Sequence, residues 1–328
     1  MSISPRKIVV IGLGTAGTDH VKALEDIPYA TVIAGIDTDP SRTLTFRRRE
    51  VAVYPGAFEA ISHKLDPDLV VIATPTHTHA GVCGEVAEYF PKAVILVEKP
   101  AADKLEDAQR IVEGVGGKQR VNVAYHMAFS AEVAWGLSQA HARADQLGPP
   151  VAIESWYADP YQSDLASAQA TLGTSWIDSG INALSVIERF ATLIKRTSWC
   201  RIEKDSWSGF AGTFVCETQG RQVAAVVLTS WSSIAPTRTT RIKYLSGADL
   251  VMDHNAMVAY IVKDGAIADI SGSDGVVPRR EAHYKALYQS WLVDRVQVFP
   301  MDTSLRLHRL LLDGLNEENM HSQNRGSP

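Results

Sequence analysis

The sequence predicts a doubly wound α/β domain followed by a second domain built on an antiparallel sheet. Three observations carry this. Residues 7–11, 31–36, 69–73, 93–97 and 120–124 are apolar almost throughout, as expected of parallel strands covered on both faces. Segments with helical spacing of apolar residues separate most of these runs. Beyond about residue 145 the texture changes: Gly148-Pro149-Pro150 punctuates the chain and several later strand-like runs alternate in polarity. Alternation marks a sheet with one wet face.

The elements follow in order. Residues 7–11 form a strand, and 15–26 a helix with Ala16, Val21, Ala23 and Leu24 near one face. Residues 31–36 form the next strand. Asp39-Pro40 opens a helix with proline in its first turn. Strand 69–73 leads into a helix through Val82, Val86 and Tyr89. Strand 93–97 precedes a helix over 103–115, for which Asp103 is the expected N-cap. Strand 120–124 closes the series. The second part reads as strands at 151–157, 199–203, 213–218, 222–231, 238–245 and 258–262, then helices at 280–295 and 303–315. The domain reading is 1–124, 125–315, and a polar, disordered tail at 316–328.

With 328 residues, 45% of them hydrophobic, the chain can bury two sizeable cores. A net charge of −5 without a basic run argues against a nucleic-acid partner. Cys83, Cys200 and Cys216 are few and far apart, which fits neither a disulfide framework nor a zinc site. A reducing, cytoplasmic setting is expected. The apolar run at 8–11 is too short for a signal-peptide core, and the other apolar runs are too short to span a bilayer.

Gly12-Leu13-Gly14-Thr15-Ala16-Gly17 follows a strand and opens a helix. Gly12 permits the tight turn, Gly14 lets backbone approach a pyrophosphate, and Gly17 lets helix and strand pack closely. Thr15 and Ala16 place helix N–H groups at the phosphates. Asp37 closes the second strand twenty residues after Gly17. A carboxylate there accepts the adenosine ribose hydroxyls and repels a 2′-phosphate, favouring NAD. Arg42 leaves NADP open, since a guanidinium can grip that phosphate.

Thr74-Pro75-Thr76-His77-Thr78-His79 leaves a strand at its carboxyl end, where ligands sit in open α/β sheets. A hydroxyl-rich turn can reach a ribose or nicotinamide, and it can equally cap the next helix. His77 and His79 lack a third ligand at metal spacing. Glu98-Lys99-Pro100 ends another strand at the same edge. Proline biases Lys99 towards extended geometry. Its ammonium can stabilise an alkoxide during hydride transfer, although a strand-end Glu-Lys pair is also a common surface feature.

The turn Gly12 to Gly17, Asp37, Ala73-Thr74-Pro75 with His79, and Glu98-Lys99-Pro100 together resemble the Gfo/Idh/MocA family of NAD(P)-dependent sugar and polyol oxidoreductases. The resemblance is close over about the first 130 residues and looser beyond. It implies a Rossmann domain and a second α+β domain with a large open sheet used in a homodimer or homotetramer. It implies Lys99 as the catalytic lysine, Glu98 and the Thr74, Pro75 and His79 segment beside the cofactor, and a cis Lys99–Pro100 bond. The family carries Asp-x-x-x-His on a later helix. Here that segment reads Asp178-Ser179-Gly180-Ile181-Asn182. An amide takes no proton at neutral pH, so Asp178 becomes the candidate base and Asn182 an orienting group.

This variant is similar to the aldose 1-dehydrogenases, which implies oxidation of a sugar at its anomeric carbon to a lactone. Two other readings stay open: reaction at a ring carbon or on a nucleotide-borne keto-sugar, and a non-catalytic NAD-binding regulator. Trp156, Trp176 and Trp231 are candidates to stack on a sugar ring, and His126 to touch substrate. Each has an ordinary alternative role in the core.

Overall fold

A computed structural model of the chain describes residues 5–42, 52–55, 65–116, 120–204, 207–231, 236–272, 277–296 and 298–313. The expected tail at 316–328, and most of the helix opened by Pro40, lie outside these residues. The chain divides into two units, 1–126 with 280–306, and 127–279 with 307–328. The linear reading divides the chain at 124. The structure places the segment 280–306 with the first unit, because Tyr284, Tyr288 and His283 pack against Glu98, His20 and His126.

Unit 1 is built on strands β1 (Arg6–Ile11), β2 (Ala30–Asp37), β3 (Ala52–Pro55), β4 (Leu69–Ile72), β5 (Val94–Glu98) and β6 (Val121–Ala124). Their spatial order is β6-β5-β4-β1-β2-β3, all parallel, with the two-residue strand Phe299–Pro300 added antiparallel beside β6. Ile8, Val9, Val10, Leu69 to Ile72 and Ile95 to Val97 have at most 1% exposure. Apolar residues at successive positions point to both faces of the sheet, so both are covered. The connecting helices are α1 (Thr15–Glu25), α2 (His79–Tyr89) and α3 (Leu105–Gly114). Helix α3 starts two residues later than expected, with Lys104 at its cap position and no side-chain capping bond. The strand order reverses direction between β1 and β4, and their carboxyl ends are the place such a sheet offers a ligand.

Unit 2 opens with α4 (Ala131–Ala142), a helix whose low amphipathicity gave no clear sequence signal. Strand β7 (Pro150–Ala158), α5 (Leu165–Leu172) and α6 (Ile181–Phe190) follow. Then come β8 (Thr192–Lys204), β9 (Trp207–Thr218), β10 (Arg221–Ser230), β11 (Thr237–Tyr244), β12 (Asp249–Asp253), β13 (Val258–Lys263) and β14 (Ala266–Ile270). They form one sheet ordered β14-β13-β12-β11-β7-β10-β9-β8, antiparallel except where β10 runs parallel to β7. Helix α4 packs on β12 and β13, and α6 on β7, β8 and β11. Ile153, Ser155 and Tyr157 are buried on the covered face, while Glu154 and Trp156 are exposed on the other. Among the described residues, no helix is long and apolar enough to cross a membrane.

Candidate active site

In unit 1 the glycine turn is held by geometry that only glycine satisfies. Gly12 has φ +86°, and a Cβ there lies 2.6 Å from the Ala73 carbonyl oxygen. A Cβ on Gly17 lies 1.8 Å from the carbonyl oxygen of Gly12, so α1 sits directly on the turn. Gly14, at the N-cap of α1, has space: a Cβ there meets nothing nearer than the Arg42 guanidinium at 3.4 Å. Thr15 and Ala16 open the helix behind it. This is a cradle for a diphosphate at a helix N-terminus.

Asp37 ends β2 and is 6% exposed. Its Oδ2 accepts the Leu13 N–H at 2.7 Å and its Oδ1 the Asp39 N–H at 2.8 Å. The acid and the glycine turn are thus one hydrogen-bonded piece. Arg42 lies 3.5 Å from Asp37 and 3.5 Å from Asp39, so two carboxylates neutralise it.

At the end of β4, Thr74 Oγ1 accepts from the Thr78 hydroxyl at 2.8 Å, and Thr78 also reaches the Pro75 carbonyl at 2.7 Å. Thr74 and Thr76 are half-buried and Pro75 is exposed. His79 departs from the expectation of a cofactor contact. It is 1% exposed, with Nε2 2.9 Å from the Thr74 carbonyl and Nδ1 3.1 Å from the Ala101 carbonyl. Both neighbours are backbone carbonyls, so the neutral ring donates to one of them while its other nitrogen lies against the second. His79 is therefore a tie between the β4 turn and the turn after Pro100. Burial lowers its pKa, against the opposing pull of these carbonyls and Glu98.

Glu98 ends β5, and the Lys99–Pro100 bond is cis. Lys99 is half-buried. The Glu98 carboxylate is 6% exposed and committed to protein donors rather than held open for a cofactor. Its Oε1 accepts from His20 Nε2 and Tyr284 Oη, each at 2.7 Å, and its Oε2 from the Lys99 N–H at 3.0 Å. Burial pushes its pKa up, but the His20 and Tyr284 hydrogen bonds and the neighbouring Lys99 outweigh this, and it stays below the usual carboxylate value. His126 is buried against the rings of Tyr284 and His283, 4.6 and 5.6 Å away between centroids.

In unit 2, residues Trp176–Gly180 form a π-helical turn leading into α6. Asp178 is half-buried on this turn. Asn182, one turn on, donates from Nδ2 to the Asp178 carbonyl at 3.3 Å. Its buried Oδ1 has no partner among the described residues and can accept a hydrogen bond from a hydroxyl. The turn is anchored on both sides of Asp178: Ser175 Oγ meets Thr229 Oγ1 at 3.2 Å, and Ser179 donates to Asp159 Oδ2 at 2.6 Å. Asp159 is 1% exposed and paired with Arg238.

The tryptophans separate. Trp176 is fully buried, donates to the Leu311 carbonyl at 2.8 Å and stacks on Phe214, so it is a core residue and not a sugar platform. Trp156 is 52% exposed on the sheet face opposite the Asp178 turn, beside Leu228, so it is not a platform for that turn either. Period-two alternation fixes this: Thr229 and its row partner Tyr157 face the turn, and Trp156 must point the other way. Trp231 is 3% exposed, edge-on to Tyr161, and its indole N–H has no acceptor among the described residues.

Sequence reasoning did not single out His20, Tyr284 and Tyr288, nor Asp159, Ser179 and Arg238. Their partners lie far away along the chain, and no local spacing announces such pairs.

A parallel sheet with the order β3-β2-β1-β4-β5-β6, a glycine turn on a helix N-terminus and a carboxylate closing β2 define a dinucleotide-binding Rossmann domain. Residues 6–126 match the Gfo/Idh/MocA oxidoreductase family, NAD-binding Rossmann fold.

An inositol 2-dehydrogenase of Pseudarthrobacter chlorophenolicus is 33% identical over 138 residues, 39% of this chain and 39% of that protein. The match thus spans well under half the length of this curated relative. Two solved structures share the fold over nearly the whole chain. One is a dehydrogenase from Chromobacterium violaceum, with TM-score 0.78, 14% identity and coverage of 99% and 100% of the two chains. The other is scyllo-inositol dehydrogenase from Lactobacillus casei with bound NAD(H) and scyllo-inositol, with TM-score 0.74, 16% identity and coverage of 96% and 98%.

Proposed function

We propose that the protein is an NAD-dependent dehydrogenase of a cyclic polyol or sugar, oxidising a secondary ring alcohol to a ketone. The observation that carries this is the Glu98-Lys99-Pro100 turn at the carboxyl end of β5, in the same sheet that ends β2 on Asp37. When bound, NAD accepts the hydride. Gly12, Gly14 and the start of α1 hold its diphosphate, and Asp37 the adenosine ribose. Two carboxylates occupy Arg42, which favours NAD over NADP.

Lys99 hydrogen-bonds the reacting oxygen and stabilises it as the proton leaves. We assign Asp178 as the base for the alcohol proton, and the Asn182 amide oxygen as the acceptor for a substrate hydroxyl. The Trp231 indole N–H donates to another. A ring of hydroxyls suits this set of donors and acceptors. The inositol dehydrogenase among the relatives favours a ring-carbon alcohol over the anomeric carbon. Aldose oxidation to a lactone is the second reading, because a carboxylate is a weak base and the anomeric hydroxyl is the more acidic.

The test is a panel of myo-inositol, scyllo-inositol, L-arabinose, D-galactose and D-xylose with NAD, followed at 340 nm, with products identified by NMR. A keto-polyol is expected. A lactone would select the second reading. NAD binding without turnover of any panel member would favour a regulator.

A further inference from the structure

The Lys99 N–H lies just beyond the ladder of β5, which pairs with β6 up to Glu98 and with β4 up to Val97. Its acceptor is the carboxylate of the preceding residue. That carboxylate is the centre of a buried cluster drawn from three stretches of chain. His20 is fully buried, with Nε2 on Glu98 Oε1 and Nδ1 2.7 Å from Tyr288 Oη. Tyr284 and Tyr288 are 1% and 0% exposed. The His20 and Tyr284 rings pack at 4.3 Å between centroids. Arg280, at the edge of the cluster, pairs with Asp19 at 3.0 Å.

We propose that His20, Tyr284 and Tyr288 are positioning residues: they lock the Glu98 carboxylate in the one orientation that clasps the Lys99 N–H and so fix where Lys99 presents its ammonium. The polarity of the cluster is consistent from end to end. Burial and the Glu98 charge push both phenols well above 10, so both keep their protons. Tyr288 donates to His20 Nδ1, which leaves Nε2–H to donate to Glu98, and Tyr284 donates to the same oxygen. Oε2 is left for Lys99. The Tyr288 bond selects the tautomer that Glu98 requires, in the way an outer partner orients a working imidazole. A leucine at residue 20 would fill the space and supply neither bond.

The catalytic half of this inference rests on the proposed role of Lys99, so the experiment reads the clasp first without substrate. Amide hydrogen exchange at Lys99 is followed in the full-length protein, in His20→Leu, His20→Gln and Tyr284→Phe. Releasing Glu98 is expected to speed Lys99 exchange about tenfold or more in His20→Leu, with β4 amides unchanged. His20→Gln, whose amide can donate to Glu98, is expected within about threefold of the parent.

With NAD and the active polyol, His20→Leu is expected to lower kcat about tenfold or more at near-constant NAD affinity, and His20→Gln to restore it. Should His20→Leu not fold, Tyr284→Phe removes one donor while keeping the ring, and is expected to move exchange and kcat together by about three- to tenfold. Unchanged Lys99 exchange in the folded variants would overturn the clasp. So would a kcat loss that follows NAD affinity and melting temperature alone and is not rescued by glutamine. Full turnover in Lys99→Met, alongside altered exchange, would instead refute the catalytic role of Lys99 and leave the clasp standing.

Discussion

Asp37 Oδ2 accepts the backbone N–H of Leu13 at 2.7 Å, so the acid at the end of β2 and the glycine turn after β1 move as one piece. A substitution at Asp37 therefore loosens the glycine turn as well as removing the carboxylate proposed to hold the adenosine ribose. Asp37→Ser is expected to weaken NAD binding about tenfold or more, since hydrogen bonds to a charged group contribute roughly 1.5–3 kcal/mol. NADP binding should strengthen as Arg42 loses one of its two carboxylates. Isothermal titration with both nucleotides checks this. An unchanged preference would detach Asp37 from cofactor choice.

Lys99→Met keeps the length of the side chain and removes its charge. It is expected to lower kcat about a hundred- to a thousandfold, the scale for losing a group that stabilises developing oxyanion charge. The NAD dissociation constant should hold within about threefold if Lys99 acts on the reacting oxygen. Steady-state kinetics beside NAD titration separate the two. Parent-like turnover would remove Lys99 from the mechanism.

Asp178→Asn keeps the shape of the side chain and abolishes its basicity. A loss of about a hundred- to ten-thousandfold in kcat is expected, the usual range for a general base. Asn182→Ala should act mainly on KM, since Asn182 offers a buried acceptor rather than a proton site. Trp231→Phe should raise KM about five- to tenfold through the loss of one hydrogen bond of about 1 kcal/mol. Equal effects of Asp178→Asn and Asn182→Ala on kcat would contradict this division of roles.

His79 makes a prediction about pH. Burial lowers its pKa below the ordinary 6.5, so the unfolded chain binds the proton more readily. Stability therefore rises with pH across the window between the lowered folded value and 6.5, is complete above 6.5, and is lost as pH falls through that window. The guanidinium chloride midpoint should drop between about pH 7.5 and about pH 5.5, and drop less steeply in His79→Gln. Parallel slopes in the two proteins would assign the dependence to other groups.

The tryptophans make a prediction about stability. Trp176→Ala empties a fully buried site and is expected to cost about 3–5 kcal/mol. Trp156→Ala, on the open face of the sheet, should cost less than about 1 kcal/mol and leave KM unchanged. Chemical denaturation of both variants checks the ranking. A raised KM in Trp156→Ala would place that face at the substrate.

The sequence by itself determined the unit 1 sheet, the glycine turn and its acid. These are written in local runs: buried strands that are apolar at successive positions, and glycines whose spacing has one physical use. It also marked Glu98 and Lys99 at a strand end, whereas Asp178 and Asn182 were marked only through the resemblance to the Gfo/Idh/MocA pattern. Only the tertiary structure decided that His79 braces two turns, that Trp176 is core and that Trp156 faces away from the Asp178 turn. It also decided that helix Arg279–Tyr288 contributes two tyrosines to the surroundings of Glu98. Burial and hydrogen-bond partnership depend on residues hundreds of positions apart. Local periodicity can set the face on which a side chain lies, but it cannot say what meets it there.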